Sequence, residues 1–396
     1  MLVEPRKLER PAPIRVPFHV PSIGEEEIAE VVDTLRSGWL TSGPKVARFE
    51  RAFAAAVGAR QAVALNSGTA ALHLALEAVG VGRGDEVVIP TYTFTATGEV
   101  VTYLGARPVL ADCGADTLNI DVSTVERCLT SRTKAIVPVH VAGQPCDMDP
   151  LLDLARRRGL AIVEDAAHAL PTTYRGRLVG TIGDLTAFSF YATKTITTGE
   201  GGMLTTERDD YAARVKTMSL HGLSGDAWNR YSDKGRWYYE VVEFGFKYNL
   251  TDLAAALGIR QLHRMFEFYQ RRRAIATMYM EAFANLDTCA TPWEVPYGTH
   301  AWHLYILSLN LAALKTGRDA VVEGLRQRGV ATSVHFIPLH LHPVYCRTYG
   351  YKPGDFPAAE AAFAGVLSLP IYPGMTDDDV EYVIGAVLET LREAKR

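Results

Sequence analysis

The sequence is poor in the features that mark a nucleic-acid binder, a membrane protein or a disulfide scaffold. Its 41 Lys and Arg against 45 Asp and Glu leave a net charge of −4 over 396 residues, and no dense basic run occurs. Without a basic footprint, nucleic acid is not an expected partner. No window approaches the roughly eighteen uninterrupted apolar residues of a membrane-spanning helix, so no membrane span is expected. The five cysteines, Cys113, Cys128, Cys146, Cys289 and Cys346, are odd in number and scattered, with no C-x-x-C pair. They read as reduced thiols of a cytoplasmic protein, not as a disulfide framework or a zinc site. The opening MLVEPRKLERPAPIRVPF lacks the apolar segment of a secretory signal. Residues 1–21 are Pro-rich and read as an extended arm. Internal repeats and low-complexity tracts are also missing.

What is present is an ordinary globular composition, 48% apolar and 22% charged. That suits a soluble enzyme with a sizeable core. PSIGEEEIAEVVDTLRSG reads as a helix capped by Ser22, with Glu25 completing a capping box and Gly38 ending it. A second helix starts with Pro44 in its first turn and carries Phe49, Phe53 and Val57 on one face before Gly58. Then short, β-branched apolar runs alternate with helical stretches: 61–65, 85–90, 107–112, 133–139, 159–165, 185–190 and 201–206. Seven strands, with helices between the first five, predict an α/β fold with a mostly parallel sheet covered on both faces. Residues 22–255 form the expected large domain. A long helical pattern over about 250–283 joins it to a smaller C-terminal α/β domain, 256–396.

In such sheets ligands lie outside the carboxyl ends of the strands. Four segments fall there. NSGTAAL (66–72) places Asn66, Ser67, Gly68 and Thr69 at a helix start, which makes either a phosphate cradle or a plain cap. PTYTFTAT (90–97) offers Tyr92 or Phe94 to cover a planar ligand, or to fill the core. VEDAAHA ends a strand in Asp165, with His168 one helical turn on. That carboxylate suits a helix cap, a ring nitrogen or, less well without ligand spacing, a metal. SFYATKTITTGEGGM (189–203) holds Lys194 among small polar residues, with its glycines after the lysine. A Walker loop has them before it. A lysine nucleophile needs a lowered pKa and tight placement. Together these parts make a pyridoxal phosphate (PLP) site: a Schiff-base lysine, an aspartate on the pyridinium nitrogen, an aromatic on the ring and a helix N-terminus on the phosphate.

The whole chain resembles the DegT-like (DegT/StrS) sugar aminotransferases, fold-type-I PLP enzymes acting on nucleotide-linked keto-sugars. SGWLTSGPKVARFE, NSGTAALHLAL, GDEVVIPTYTFTAT, PVHVAGQPCDM, VEDAAHA, GDLTAFSFYATKTITTGEGGM, GFKYNLTDLAAALGIRQL and LSLPIYPGMTDDDV carry the likeness, in order. The resemblance implies that Lys194 is the Schiff-base lysine and that Asp165 pairs with the pyridine nitrogen. It puts His168 on the ring hydroxyl, Phe94 on the ring face, and Gly68, Thr69 and Ser189 on the phosphate. It has Asn249 reach the phosphate of a partner subunit's cofactor, which makes a homodimer with shared sites. Many members read Asn-x-Arg where this chain has Lys247-Tyr248-Asn249. The implied reaction moves an amino group from an amino acid, glutamate, to a nucleotide-linked keto-deoxy-sugar.

Other segments compete for roles. His335, His340, His342 and Cys346 lie close together but match no zinc spacing, so a substrate-side or packing role is expected for His335 and its neighbours. Residues 221–249 interleave Trp228, Tyr231, Trp237, Tyr238 and Tyr239 with Arg230 and Arg236. Stacking surfaces and cations suit a nucleotide diphosphate, so Arg230, Arg236, Tyr238 and Lys247 are candidate substrate contacts. Dimer packing is the other reading of that loop. A cyclitol or aminoglycoside-precursor aminotransferase would share the same site. A non-catalytic binding or regulatory protein on this fold would be marked by a degraded site, and Lys194, Asp165 and Ser189 are intact. A cysteine desulfurase would need Cys346 as its reactive thiol.

Overall fold

The computed structural model describes residues 13–224 and 239–396. Its central sheet holds β1 Gln61–Leu65, β2 Glu86–Pro90, β3 Arg107–Ala111, β4 Thr133–Ile136, β5 Ala161–Asp165, β6 Leu185–Ser189 and β7 Gly202–Thr206. Their spatial order is β1-β7-β6-β5-β4-β2-β3. β7 pairs antiparallel with β1 and β6, and every other neighbouring pair is parallel. β7 alone therefore runs against the rest, and the carboxyl ends of the other strands share one edge. These strands are mostly apolar because helices cover both faces. Helix Gly68–Ala78 leaves β1 and packs across β5, β6 and β7, which carries its N-terminus over the end of β6.

One face of the sheet is closed by helix Pro44–Val57. Its Phe49, Phe53 and Val57 are buried against Phe188 and Phe190. Pro44 opens that helix and Gly58, at φ 79°, closes it. Two expectations shift. The first helix is Glu25–Ser37 and its cap is Gly24, not Ser22: the Glu27 carboxylate accepts from the Gly24 N–H at 2.9 Å. Ser22 is drawn elsewhere, its carbonyl accepting from Gln261 Nε2 at 2.8 Å. The long helical stretch is broken into Asp252–His263 and Met265–Phe283 at Arg264, whose guanidinium bridges Glu27 and Glu267, each at 3.1 Å.

The C-terminal part has its own antiparallel sheet of Cys289–Ala290, Tyr305–Leu309 and Val366–Leu369. Ile275, Tyr279 and Phe283 pack there against Val380, Val383 and Val387 of helix Asp377–Ala394. Among the described residues no helix is long and apolar enough to cross a membrane.

Phe53 is fully buried, edge-on to Phe188 at 5.0 Å and to Phe190 at 5.5 Å. Phe53→Ala is expected to cost about 3–5 kcal/mol through lost burial and the cavity left behind, read from urea unfolding at fixed protein concentration.

Candidate active site

The strand ends meet around a cavity of about 650 Å³. At β1 the chain passes through Ser67 into helix Gly68–Ala78. Ser67 Oγ accepts from the Ala70 N–H at 3.0 Å, so its hydroxyl is engaged as the cap. The first intrahelical bond runs from Ala71 N–H to Ser67 O. The N–H groups of Gly68 and Thr69 precede it, and both residues line the cavity. A Cβ on Gly68 would stand 2.8 Å from Ser189 Cβ, and one on Gly202 would stand 2.3 Å from Ser67 O. Glycine at both positions lets the helix start, the end of β6 and the start of β7 converge. Ser189 lines the cavity at that junction.

Asp165 ends β5 and is buried. Thr97 Oγ1 donates to Oδ2 at 2.8 Å, and Ala167 N–H donates to Oδ1 at 3.1 Å. Burial pushes this carboxyl above its usual range, while Thr97, Ala167 and the charge of Lys194 oppose that rise. Lys194 is half-buried in the same cavity. Burial lowers its ammonium to about 8, with Asp165 pulling the other way. A lysine so perturbed supplies free amine near neutral pH, as a covalent nucleophile requires.

Of the two aromatic candidates, Phe94 lines the cavity and is 59% exposed. Tyr92 belongs to the core, its hydroxyl donating to the His335 carbonyl. His168 is not one helical turn beyond Asp165, because no helix follows β5. The Ala166 N–H still bonds to Ala187 O on β6, so sheet pairing continues past the strand and His168 sits in a turn. Its ring lies 4.3 Å from that of His303 and 5.8 Å from that of Phe336. Among the described residues, His168 Nδ1 is buried without a partner. Burial and the Lys194 charge hold this imidazole well below its ordinary range, hence neutral.

Sequence reasoning missed much of the opposite wall: Phe18, His19, His303 and Phe336 line it alongside His335. Burial lowers His19 and His335 to about 4. His19 sits in the Pro-rich arm, where nothing in the local pattern marks it. His303 could have been noticed as the one imidazole in the apolar stretch WHLYIL.

Some expected members lie elsewhere. Asn249 pairs with Leu65, and its Nδ2 donates to Ser42 Oγ at 2.7 Å. Lys247 is exposed and donates to Asn249 Oδ1. Neither lines the cavity within one chain. Arg230, Arg236 and Tyr238, with Trp228, Tyr231 and Trp237, lie outside the described residues. His340 bridges Thr91 Oγ1 at 2.8 Å and Glu360 Oε1 at 3.0 Å, a packing role. Cys346 Sγ donates to His340 O at 3.1 Å, away from the cavity lining. Among the described residues no group of three or more His, Cys, Asp or Glu is placed to hold a metal.

The arrangement fits PLP. A depressed lysine amine and a buried carboxylate share one cavity with a helix start that a Cβ on Gly68 would block and with an orphaned imidazole nitrogen. Covalent capture of PLP by the apoprotein is expected to accelerate through an apparent pKa of about 8, well below the ~10.4 of a free lysine. Lys194→Ala should abolish capture across the pH range; stopped-flow absorbance checks both.

Comparison with known proteins places the chain in a family. The model of the DegT/DnrJ/EryC1/StrS aminotransferase family matches residues 21–388. The spore coat polysaccharide biosynthesis protein SpsC of Bacillus subtilis is 51% identical over 380 residues, covering 96% of this chain and 98% of that protein. The putative sugar aminotransferase Spr1654 from Streptococcus pneumoniae, solved in its PMP form, matches with a TM-score of 0.90 at 37% identity, over 96% of this chain and 100% of that one. Its PLP form gives a TM-score of 0.89 at 36% identity, over 96% and 99%. The chain belongs to the DegT/DnrJ/EryC1/StrS aminotransferase family and is a PLP-dependent transaminase of fold type I.

Proposed function

We propose that this transaminase moves an amino group from glutamate to a nucleotide-linked keto-deoxy-sugar, in the cytoplasm, as a homodimer with shared sites. The observation that carries the reading is the meeting of Lys194, with its amine at about 8, and buried Asp165 in one cavity. When bound, PLP supplies an electron sink that lets the Cα–H bond of an amino substrate break and its nitrogen change hands.

The chain's residues divide the remaining work. Gly68 and Thr69 N–H and the Ser189 hydroxyl hold the phosphate, aided by the positive end of the helix dipole. Phe94 covers one ring face, and His168 meets the ring hydroxyl through its spare nitrogen. Asp165, anchored by Thr97, keeps the ring nitrogen protonated. Lys194 would hold the cofactor, and its free amine would move the α-proton of the amino substrate as general base and acid. The wall of His19, His303 and His335 presents imidazoles that burial keeps neutral. Neutral donors and acceptors suit sugar hydroxyls. The sugar-linked names of the relatives SpsC and Spr1654 support that acceptor.

The diphosphate needs cations, and among the described residues Lys194 is the one Lys or Arg lining the cavity. We assign that task to Arg230 and Arg236, with Tyr238 stacking on the base and Lys247 assisting. Asn249 serves the partner's phosphate. Exposed Val241, Val242 and Phe244, the last at 96%, supply apolar surface beside it for a second copy.

Two measurements test the reading. Glutamate should bleach the visible band of the PLP-loaded protein, and a nucleotide-linked keto-sugar should restore it better than the free sugar. If bleaching fails with glutamate, the donor is wrong. If the free sugar works equally well, the nucleotide is. Mixing Lys194→Ala with Asn249→Ala chains should restore activity above either parent. No gain would contradict shared sites.

A further inference from the structure

Beneath the cavity lies a pair the proposed chemistry does not use. His140 and Glu164 have no solvent exposure, and His140 Nε2 stands 3.0 Å from Glu164 Oε2. Cys146 N–H donates to His140 Nδ1 at 3.0 Å. Because Nδ1 accepts, the single ring proton is on Nε2 and goes to Glu164. Glu164 Oε1 also accepts from Gly183 N–H at 2.7 Å and from the Thr186 hydroxyl at 2.8 Å. Burial pushes the Glu164 carboxyl up, but His140, Gly183 and Thr186 together bring it below its usual range. It is a buried anion, and a buried charge often stabilises a fold no more than a well-packed apolar residue of similar volume. Stability alone does not account for it.

Its connections do. Glu164 precedes Asp165 on β5, so the two side chains point to opposite faces of the sheet. The His140 N–H donates to Asp165 O at 3.1 Å, and the Asp165 N–H donates to Pro138 O at 2.9 Å. The segment from His140 then turns through Ala142, at φ 58°. Ala142 O accepts from His303 N–H at 3.0 Å and Leu304 N–H at 3.3 Å, and Gly143 O accepts from Ala301 N–H at 2.9 Å. One short segment is thus fastened at His140 to Asp165 and at Ala142 to the wall that carries His303.

We infer that the Glu164–His140 pair is a positioning device for the transamination. It holds the Asp165 carboxylate and the His303 wall in register from below, touching neither cofactor nor substrate. The inference rests on the reading of Asp165 as partner of the ring nitrogen. A shift of about 1 Å in a reacting group costs on the order of a hundredfold in rate, so even partial loosening is measurable.

Glu164→Gln in the full, PLP-loaded chain is the test, with Thr186→Val as a milder variant should the first fold poorly. The expected result for Glu164→Gln is a kcat lower by about tenfold or more, KM for both substrates within about twofold, and a weakened visible circular-dichroism signal of the bound cofactor. Thr186→Val should move the same readouts less. His140→Gln, which can accept from Cys146 and donate to Glu164, should keep more activity than His140→Leu. The inference is overturned if Glu164→Gln keeps kcat and the dichroism of the parent, or if losses in both variants merely follow the unfolded fraction. Asp165→Asn is measured beside them. Its loss of activity with Glu164→Gln unaffected sinks the pair and leaves the Asp165 reading standing. Full activity in Asp165→Asn sinks that reading itself.

Discussion

An aspartate and a lysine have been taken out of water into one cavity, and the surrounding architecture answers to that constraint. Removing each charge from solvent costs several kcal/mol even after relaxation. Asp165 is compensated by a hydroxyl, a backbone N–H and the opposing charge of Lys194. Lys194 is opposed by the charge of Asp165, and its amine falls to about 8. Burial wins at both groups, and at Lys194 the result is the free lone pair its chemistry needs. Stability given up at Lys194 is reactivity held there.

The sheet supplies the platform. Because β7 alone is reversed, the ends of β1, β2, β5 and β6 deliver Ser67, Phe94, Asp165 and Ser189 to one rim. The C-terminal part supplies the facing wall through His303, His335 and Ile371. Arg272 stitches that wall together. It is fully buried and its Nη1 donates to the carbonyls of Trp302, His303 and Ile371 at 3.2, 3.2 and 2.7 Å. Among the described residues, backbone dipoles rather than a carboxylate receive this guanidinium. Its charge joins burial in keeping His19 and His303 unprotonated.

The strands were legible because a doubly covered sheet demands apolar runs, and those runs are short and bounded by Gly, Pro and Asp. The Lys194, Asp165 and Gly68 positions were legible because Asp165 ends such a run and the other two follow theirs within a few residues. What was not legible depends on contacts between distant residues. Local pattern put a cap at Ser22, but Gln261 claims that residue's carbonyl. It put His168 on a helix, but Ala166 remains hydrogen-bonded to Ala187. It drew one helix through Arg264, where the backbone leaves the helical conformation and the guanidinium reaches Glu27 on the first helix. His19, His303 and the His140–Glu164 pair reach their places only through tertiary packing, which no window of sequence displays. Tyr92 and Phe94 look alike in sequence, but the chain stays buried from Thr91 through Thr93 and becomes exposed only at Phe94, which lines the cavity.

The most direct test of the account is to load the protein with PLP, reduce it with borohydride and map the modified peptide by mass spectrometry. A single phosphopyridoxyl mark on Lys194 is the predicted result. A mark on another lysine, or a spread over surface lysines that survives Lys194→Ala, would contradict it.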